Sequence, residues 1–237
     1  MNLCILYHIP NKTIKYNKWH DGFTKAIEIL KNSFIISMIN TFDKPKINFE
    51  NYDIVFFKES FTGNIYNFYK SFLLKKNKIG LFISSSNIIP NNKQLELYDI
   101  LFYETFWYYN YANLKRHSNS FHAFGVDTDI MKKTEEKKIY DVIFVGNICA
   151  YKRPLNILKL SGKKICLGFK TDNNLIKKLI ENNVEIVEFI EYDKLAKYYN
   201  QSKLCYVPCT IHGGGERSVL EARSCGITIK VEGDKPK

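Results

Sequence analysis

The sequence predicts an α/β protein made of two Rossmann-like, doubly wound parallel-sheet domains. Three observations carry that expectation. Short runs of β-branched and aromatic residues alternate with longer amphipathic segments, the pattern of parallel strands joined by helical crossovers. The runs fall into two sets of about five, as two doubly wound units require. Between the sets lies a polar stretch, 128–138, with KKTEEKK inside it, which reads as a linker. The boundary is placed so that residues 1–121 form the first domain and 122–237 the second.

In the first set, strands are expected at 3–8, 34–39, 54–58, 79–84 and 100–103. A helix is expected over 21–30, where Phe23, Ile27 and Leu30 recur at helical spacing. The second set places strands at 142–146, 164–168, 184–189, 204–208 and 227–231, with helices at 173–180 and 193–199. The aromatic segment FYETFWYYNYANL, 102–114, carries no basic residue, and Lys115 and Arg116 come only after it. Single-strand binders interleave aromatic and basic side chains, so this segment is assigned to packing within a core or between domains.

The chain has 237 residues, 45% hydrophobic and 25% charged, enough apolar material for one large or two compact cores. No apolar run approaches the roughly 20 residues of a membrane span, and MNLCILYHIP reads as a buried strand without a basic n-region. A cytoplasmic protein without a transmembrane segment is expected. Cys4, Cys149, Cys166, Cys205, Cys209 and Cys225 lie mostly in apolar stretches, which suits reduced core thiols. A formal charge of +11 invites a polyanionic partner. Only four of the 35 basic residues are arginine, however, and the surplus divides evenly, +6 over 1–121 and +5 over 122–237. The even spread also suits a solvated lysine surface.

Two motifs carry chemistry. In IHGGGERSVLEARSCG, 211–226, three glycines precede a helical stretch, so that backbone N–H groups and the helix N-terminus can approach an anion closely. Arg217 adds a forked cationic contact in the first turn. Glu221, one turn on, can accept two hydrogen bonds from vicinal ribose hydroxyls. The competing reading is a glycine turn before a surface helix with an Arg217–Glu221 ion pair. In VGNICAYKRP, 145–154, a strand ends in Gly146, and Lys152 and Arg153 open the next helix, where a phosphate at a strand end would meet them. Neither motif matches a P-loop or a GxGxxG fingerprint, which argues against ATP hydrolysis and nicotinamide chemistry.

The order FHAFGVDTDIMKK, DVIFVGNICAYKRP, VEFIEYDKLAKYYNQSKLCYVPC, GGGERSVLEARSCGITIKV resembles the nucleotide-binding half of GT-B glycosyltransferases of the group 1 superfamily, over residues 121–232. The resemblance implies two Rossmann-like domains facing across a cleft, the first binding the acceptor and the second the nucleotide-sugar donor. Lys152 and Arg153 would neutralise the donor diphosphate, Gly213, Gly214 and Gly215 would let the chain pass close to it, and Glu221 would hold the ribose. The group often carries a glutamate eight positions before the one matching Glu221. That position is Gly213 here, and Glu216 stands three residues later as a donor-sugar contact.

In WHDGFTKAIEIL, 19–30, Trp19, His20 and Asp21 are placed at the cleft. Asp21 is the first candidate for general base and His20 the second, with an N-cap role for Asp21 as the competing reading. Trp19, and Glu59 beyond the third strand, are candidates for acceptor binding. His122 and His212 are candidates for lining the cleft. No spacing resembles a metal-ligand set, and the resemblance implies catalysis without a metal or other cofactor. The expected activity moves a sugar from a nucleoside-diphosphate sugar to a hydroxyl acceptor: a saccharide, a lipid-linked glycan, or a hydroxymethylated base in DNA as in phage enzymes. The alternative is a non-catalytic nucleotide or nucleic-acid binding module.

Overall fold

The computed structural model describes residues 1–8, 22–58, 65–83, 95–104, 114–123, 125–188, 190–209 and 217–233. Contacts divide the chain into two units, each built on one sheet.

The first sheet contains β1 (Asn2–Tyr7), β2 (Ile35–Asn40), β3 (Ile54–Lys58), β4 (Lys78–Ile83), β5 (Ile100–Tyr103) and β6 (Ser120–His122). They run parallel in the order β2-β1-β3-β4-β5-β6. Period-2 alternation sorts their side chains. Cys4, Leu6, Val55, Phe57, Leu81 and Ile83 enter one core, while Leu3, Ile5, Phe56 and Phe82 enter the other. Helix α1 (Gly22–Leu30) covers the second of these through Phe23 and Ile27, and α2 (Ile65–Tyr69) covers the first through Ile65 and Tyr69. Strands with both faces covered, such as β1, β3 and β4, read as continuous apolar runs, and five of the six are legible in the sequence. β6 is not. Its three residues, Ser-Phe-His, hold place through pairing with Leu101, Phe102 and Tyr103 of β5, which no local pattern reveals.

The second sheet contains β7 (Tyr140–Val145), β8 (Lys164–Leu167), β9 (Val184–Val187), β10 (Ser202–Cys209) and β11 (Thr228–Gly233), parallel in the order β11-β10-β7-β8-β9. Helices α4 (Tyr192–Asn200) and α5 (Arg217–Ser224) cover one face, burying Tyr199, Ala222 and Cys225 against Ile143, Ile165, Cys205 and Val207. The other face packs on α3 (Asn173–Glu181) through Ile176 and Leu179 and on Ile157. Asp172 starts α3 by accepting hydrogen bonds from the Asn174 and Leu175 N–H groups at 3.0 and 3.1 Å. Gly226, at φ +68°, ends α5: its N–H reaches the Arg223 carbonyl and the Ile227 N–H reaches Ala222. That left-handed stop gives the SCG triplet a structural reason of its own.

Two expectations need correction. The helix expected after Lys152–Arg153 is absent, because the crossover from β7 to β8 is built from two 3₁₀ stretches, Ala150–Lys152 and Pro154–Lys159. Arg153 between them is left-handed (φ 50°, ψ 44°), and Pro154 after it bars an ordinary helical continuation. The stretch read as a linker is also packed on the second unit. Asn200, buried at the end of α4, donates to the Lys132 and Ala196 carbonyls and accepts from the Thr134 N–H, each at 2.9 Å. Lys138 donates to the Asn200 and Ser202 carbonyls. Its charged composition reflects a solvated outer side laid over a buried asparagine. Among the described residues no helix is long and apolar enough to cross a membrane.

Candidate functional site

Open parallel sheets bind ligands beyond the carboxyl ends of their strands, at the point where strand order reverses. In the second sheet that point lies between β7 and β10, since the crossovers after β7 run one way, to β8 and β9, and β10 and β11 lie on the other side. The two sequence motifs follow these two strands: VGNICAYKRP leaves β7, and the triglycine run joins β10 to α5.

After β7 the backbone stays paired with the chain beyond β8. Gly146 N–H donates to Leu167 O and Ile148 N–H to Phe169 O, both at 2.9 Å, and the Thr171 hydroxyl donates to the Ile148 carbonyl. Gly168 makes this approach possible: a Cβ there would lie 2.0 Å from the Gly146 carbonyl oxygen. Gly146 itself has φ +154°, a conformation side chains disfavour. The strand end at Gly146 is therefore free of a side chain and held in register, and the chain goes on through residues 147–151 to Lys152 and Arg153. The Arg153 N–H closes the first 3₁₀ turn on Ala150 O at 3.1 Å. A left-handed arginine is a strained residue held by its surroundings, a kind of feature that concentrates at functional sites.

Across the switch point, Arg217 opens α5 and Glu221 follows one turn later. Glu221 is only 4% exposed and lies on the inner face of α5 with Ser218 and Ala222. Its Oε2 accepts a 2.7 Å hydrogen bond from the hydroxyl of Tyr199, a fully buried residue of α4. Burial first, then the neighbouring Glu221 charge, pushes the Tyr199 hydroxyl well above its ordinary pKa, so it stays protonated and acts as a donor. Burial, then Glu221, likewise raises the Cys225 thiol to about 11. A carboxylate removed from water needs such donors, and a neutral phenol supplies one without neutralising the charge. Ser218, on the same face three residues earlier, has a buried hydroxyl without a hydrogen-bond partner among the described residues.

The structure thus brings Gly146, Lys152 and Arg153 to one strand end and Arg217 and Glu221 to the helix after the adjacent strand. Trp19, His20, Asp21, Glu59, His212, Gly213, Gly214, Gly215 and Glu216 lie outside the described residues. His122 pairs its Nε2 with the Glu104 carbonyl at 3.0 Å, an anchor of β6 to the end of β5. Sequence reasoning missed Gly168, Tyr199 and Ser218. Gly168 was readable, because it ends a strand as Gly146 does. Tyr199 shares the buried α4 stripe with Tyr192 and Ala196, and nothing local marks it as a carboxylate partner. Among the described residues no group of three or more His, Cys, Asp and Glu could hold a metal. Burial pushes the Cys4 and Cys166 thiols up to about 12.

Several solved structures that share this architecture are glycosyltransferases. AviGT4, a glycosyltransferase involved in avilamycin A biosynthesis, superposes with a TM-score of 0.68 at 10% identity, over 97% of this chain and 78% of its own. An alpha-glucosyltransferase in complex with UDP-glucose and DNA containing an abasic site gives 0.66 at 12%, over 98% and 79%. Sucrose-phosphate synthase from Thermosynechococcus elongatus gives 0.65 at 11%, over 97% and 80%. The chain has the GT-B fold. No family model and no curated protein sequence matches it. At this identity the likeness extends to the fold, and the chemistry rests on the residues of the β7/β10 switch point.

Proposed function

We propose that the protein is a glycosyltransferase that takes a sugar from a nucleoside-diphosphate sugar and that its donor is held at the β7/β10 switch point. The observation that supports this reading is the adjacency of β7 and β10: the chain leaving β7 passes Gly146 and reaches Lys152–Arg153, and the helix after β10 buries Glu221 one turn from its start. The cations and the first turn of α5, with Arg217, neutralise the diphosphate as negative charge builds on the departing group. Gly213, Gly214 and Gly215 keep the approach free of side chains, Glu216 reaches the donor sugar, and Glu221 accepts from the ribose hydroxyls. In the reaction the acceptor oxygen bonds to the anomeric carbon, the bond from that carbon to the diphosphate breaks, and the acceptor proton passes to Asp21, with His20 as second choice. Trp19 and Glu59 contact the acceptor. No metal takes part.

The acceptor is a saccharide, a lipid-linked glycan or a hydroxymethylated base in DNA, and the charge of +11 suits the last of these. An alpha-glucosyltransferase bound to DNA is among the structures similar to this chain, which supports including modified DNA among the acceptors tested. The test is release of nucleoside diphosphate from a panel of UDP-, GDP- and ADP-sugars, with hydroxymethylated duplex DNA or oligosaccharide as acceptor. Release from any donor supports the proposal, and whether it depends on the modified DNA or on the oligosaccharide identifies the acceptor. Binding with no release from any donor leaves a non-catalytic nucleotide-binding module.

A further inference from the structure

We propose that the first unit carries a membrane-surface patch, in which Phe68, Phe72 and Leu74 enter the outer layer of a bilayer while neighbouring lysines meet anionic phospholipid headgroups. The patch lies on the crossover from β3 to β4 and uses none of the donor residues of the second unit, so it stands independently of the donor reading.

Single exposed apolar side chains are ordinary, but a cluster of them with a charged border marks an interaction surface. In this crossover Ile65, Tyr69 and Leu73 pack on the core, while Phe68, Phe72 and Leu74 turn outward, 41%, 59% and 37% exposed. The Phe68 and Phe72 rings stand 6.5 Å apart, and Phe72 and Leu74 flank the extended Leu73 and so share a side. Their support is fixed. The Tyr69 hydroxyl donates to the Pro45 carbonyl at 2.9 Å, and the buried Asn77 amide donates to the Phe49 and Tyr52 carbonyls and accepts from the Leu74 N–H at 2.8 Å. Segments 42–50 and 65–78 carry Lys44, Lys46, Lys70, Lys75, Lys76 and Lys78 against Asp43 and Glu50. Lys78 pairs with Asp99, whereas the other five are exposed and form no ion pair among the described residues.

This combination selects among partners. A base stacks on a bare ring face, but Lys44 stands over the Phe68 ring at 5.1 Å, Tyr69 meets that ring at 82°, and Leu74 has no π face. A second copy of the chain would set the same lysines against one another. An anionic bilayer suits both halves of the patch. Phenylalanine and leucine leave water for the acyl boundary, and each lysine near the charged leaflet strengthens binding by about fivefold.

The experiment is cosedimentation of the whole chain with vesicles of phosphatidylcholine alone and of phosphatidylcholine and phosphatidylglycerol in equal parts. The parent should partition onto the mixed vesicles at least about tenfold more strongly, and less so as salt is raised. Phe72→Ser with Leu74→Ser should lose about tenfold or more of that partition while melting like the parent. Lys46→Gln with Lys75→Gln should also lose about tenfold or more, and carries the test should the serine variant not fold. Lys177→Gln with Lys178→Gln, the same change of charge on α3 of the second unit, should stay near the parent. No binding by the parent, equal losses in the two lysine variants, or a folded serine variant that binds like the parent would each overturn the inference. So would a parent that ignores vesicles and either binds oligothymidylate through Phe72 and Leu74 or sediments as a dimer that the serine variant dissociates.

Discussion

Replacing Gly168 with alanine tests the strand-end geometry on which the donor site is built. The new Cβ would stand 2.0 Å from the Gly146 carbonyl oxygen and 2.6 Å from its carbon, where real Cβ contacts below 3.0 Å essentially do not occur. The Gly146 backbone must therefore move by at least 1 Å. The hydrogen bonds of Gly146 to Leu167 and Ile148 to Phe169 resist that movement. A side chain at φ +151° adds backbone strain of about 1–2 kcal/mol, and overpacking adds about 1–3 kcal/mol. The sum, about 2–5 kcal/mol, corresponds to a melting temperature lower by about 4–20 °C for a chain of this size. Thermal melts followed by far-UV circular dichroism measure it. Gly125→Ala is the control, since a Cβ there meets nothing within 4 Å, and it should lie within about 0.5 kcal/mol of the parent. A Gly168→Ala protein within about 1 kcal/mol of the parent, with unchanged nucleotide affinity, would refute the reasoning.

Lys152→Ala and Arg153→Ala should each weaken nucleoside-diphosphate binding by about tenfold or more, from the loss of a charge-assisted contact worth about 1.5–3 kcal/mol, with steeper losses at low salt in calorimetry. Asp21→Asn should abolish turnover in a diphosphate-release assay while donor affinity is retained. Acid stability should depend on Asp99. Burial pushes its carboxyl up, but the Ile79 N–H at 2.8 Å and Lys78 at 3.0 Å outweigh this and hold it below the ordinary carboxylate value. The unfolded chain then binds the proton more readily, so this contribution is present above about pH 4 and is lost as pH falls through the lower folded value. Urea midpoints at pH 5 and 3 should differ less in Asp99→Asn than in the parent.

What the sequence disclosed follows from how each feature is encoded. Strands buried on both faces, such as LCIL in β1 and VIFV in β7, announce themselves as apolar runs, and their neighbouring helices by spacing. Features defined by a distant partner stay silent. β6 exists through β5, the segment 128–138 is pinned by the buried Asn200, and Glu221 takes its place from Tyr199, 22 residues away in the chain. The turn after β7 was misread as a helix because Pro154 and basic residues suit a helix start, whereas the left-handed Arg153 turns the chain into a second 3₁₀ stretch. The motifs themselves were legible, since glycine runs and Lys-Arg pairs are local. Their neighbourhood needed the strand order, which puts β10 beside β7 across two intervening strands of sequence.

The most direct test is a crystal structure of the chain with a bound nucleoside diphosphate. The account predicts phosphates against Lys152, Arg153 and the first turn of α5, with the ribose hydroxyls on the Glu221 carboxylate. A diphosphate seated at the other end of the second sheet, or on the first unit, with Glu221 untouched, would contradict it.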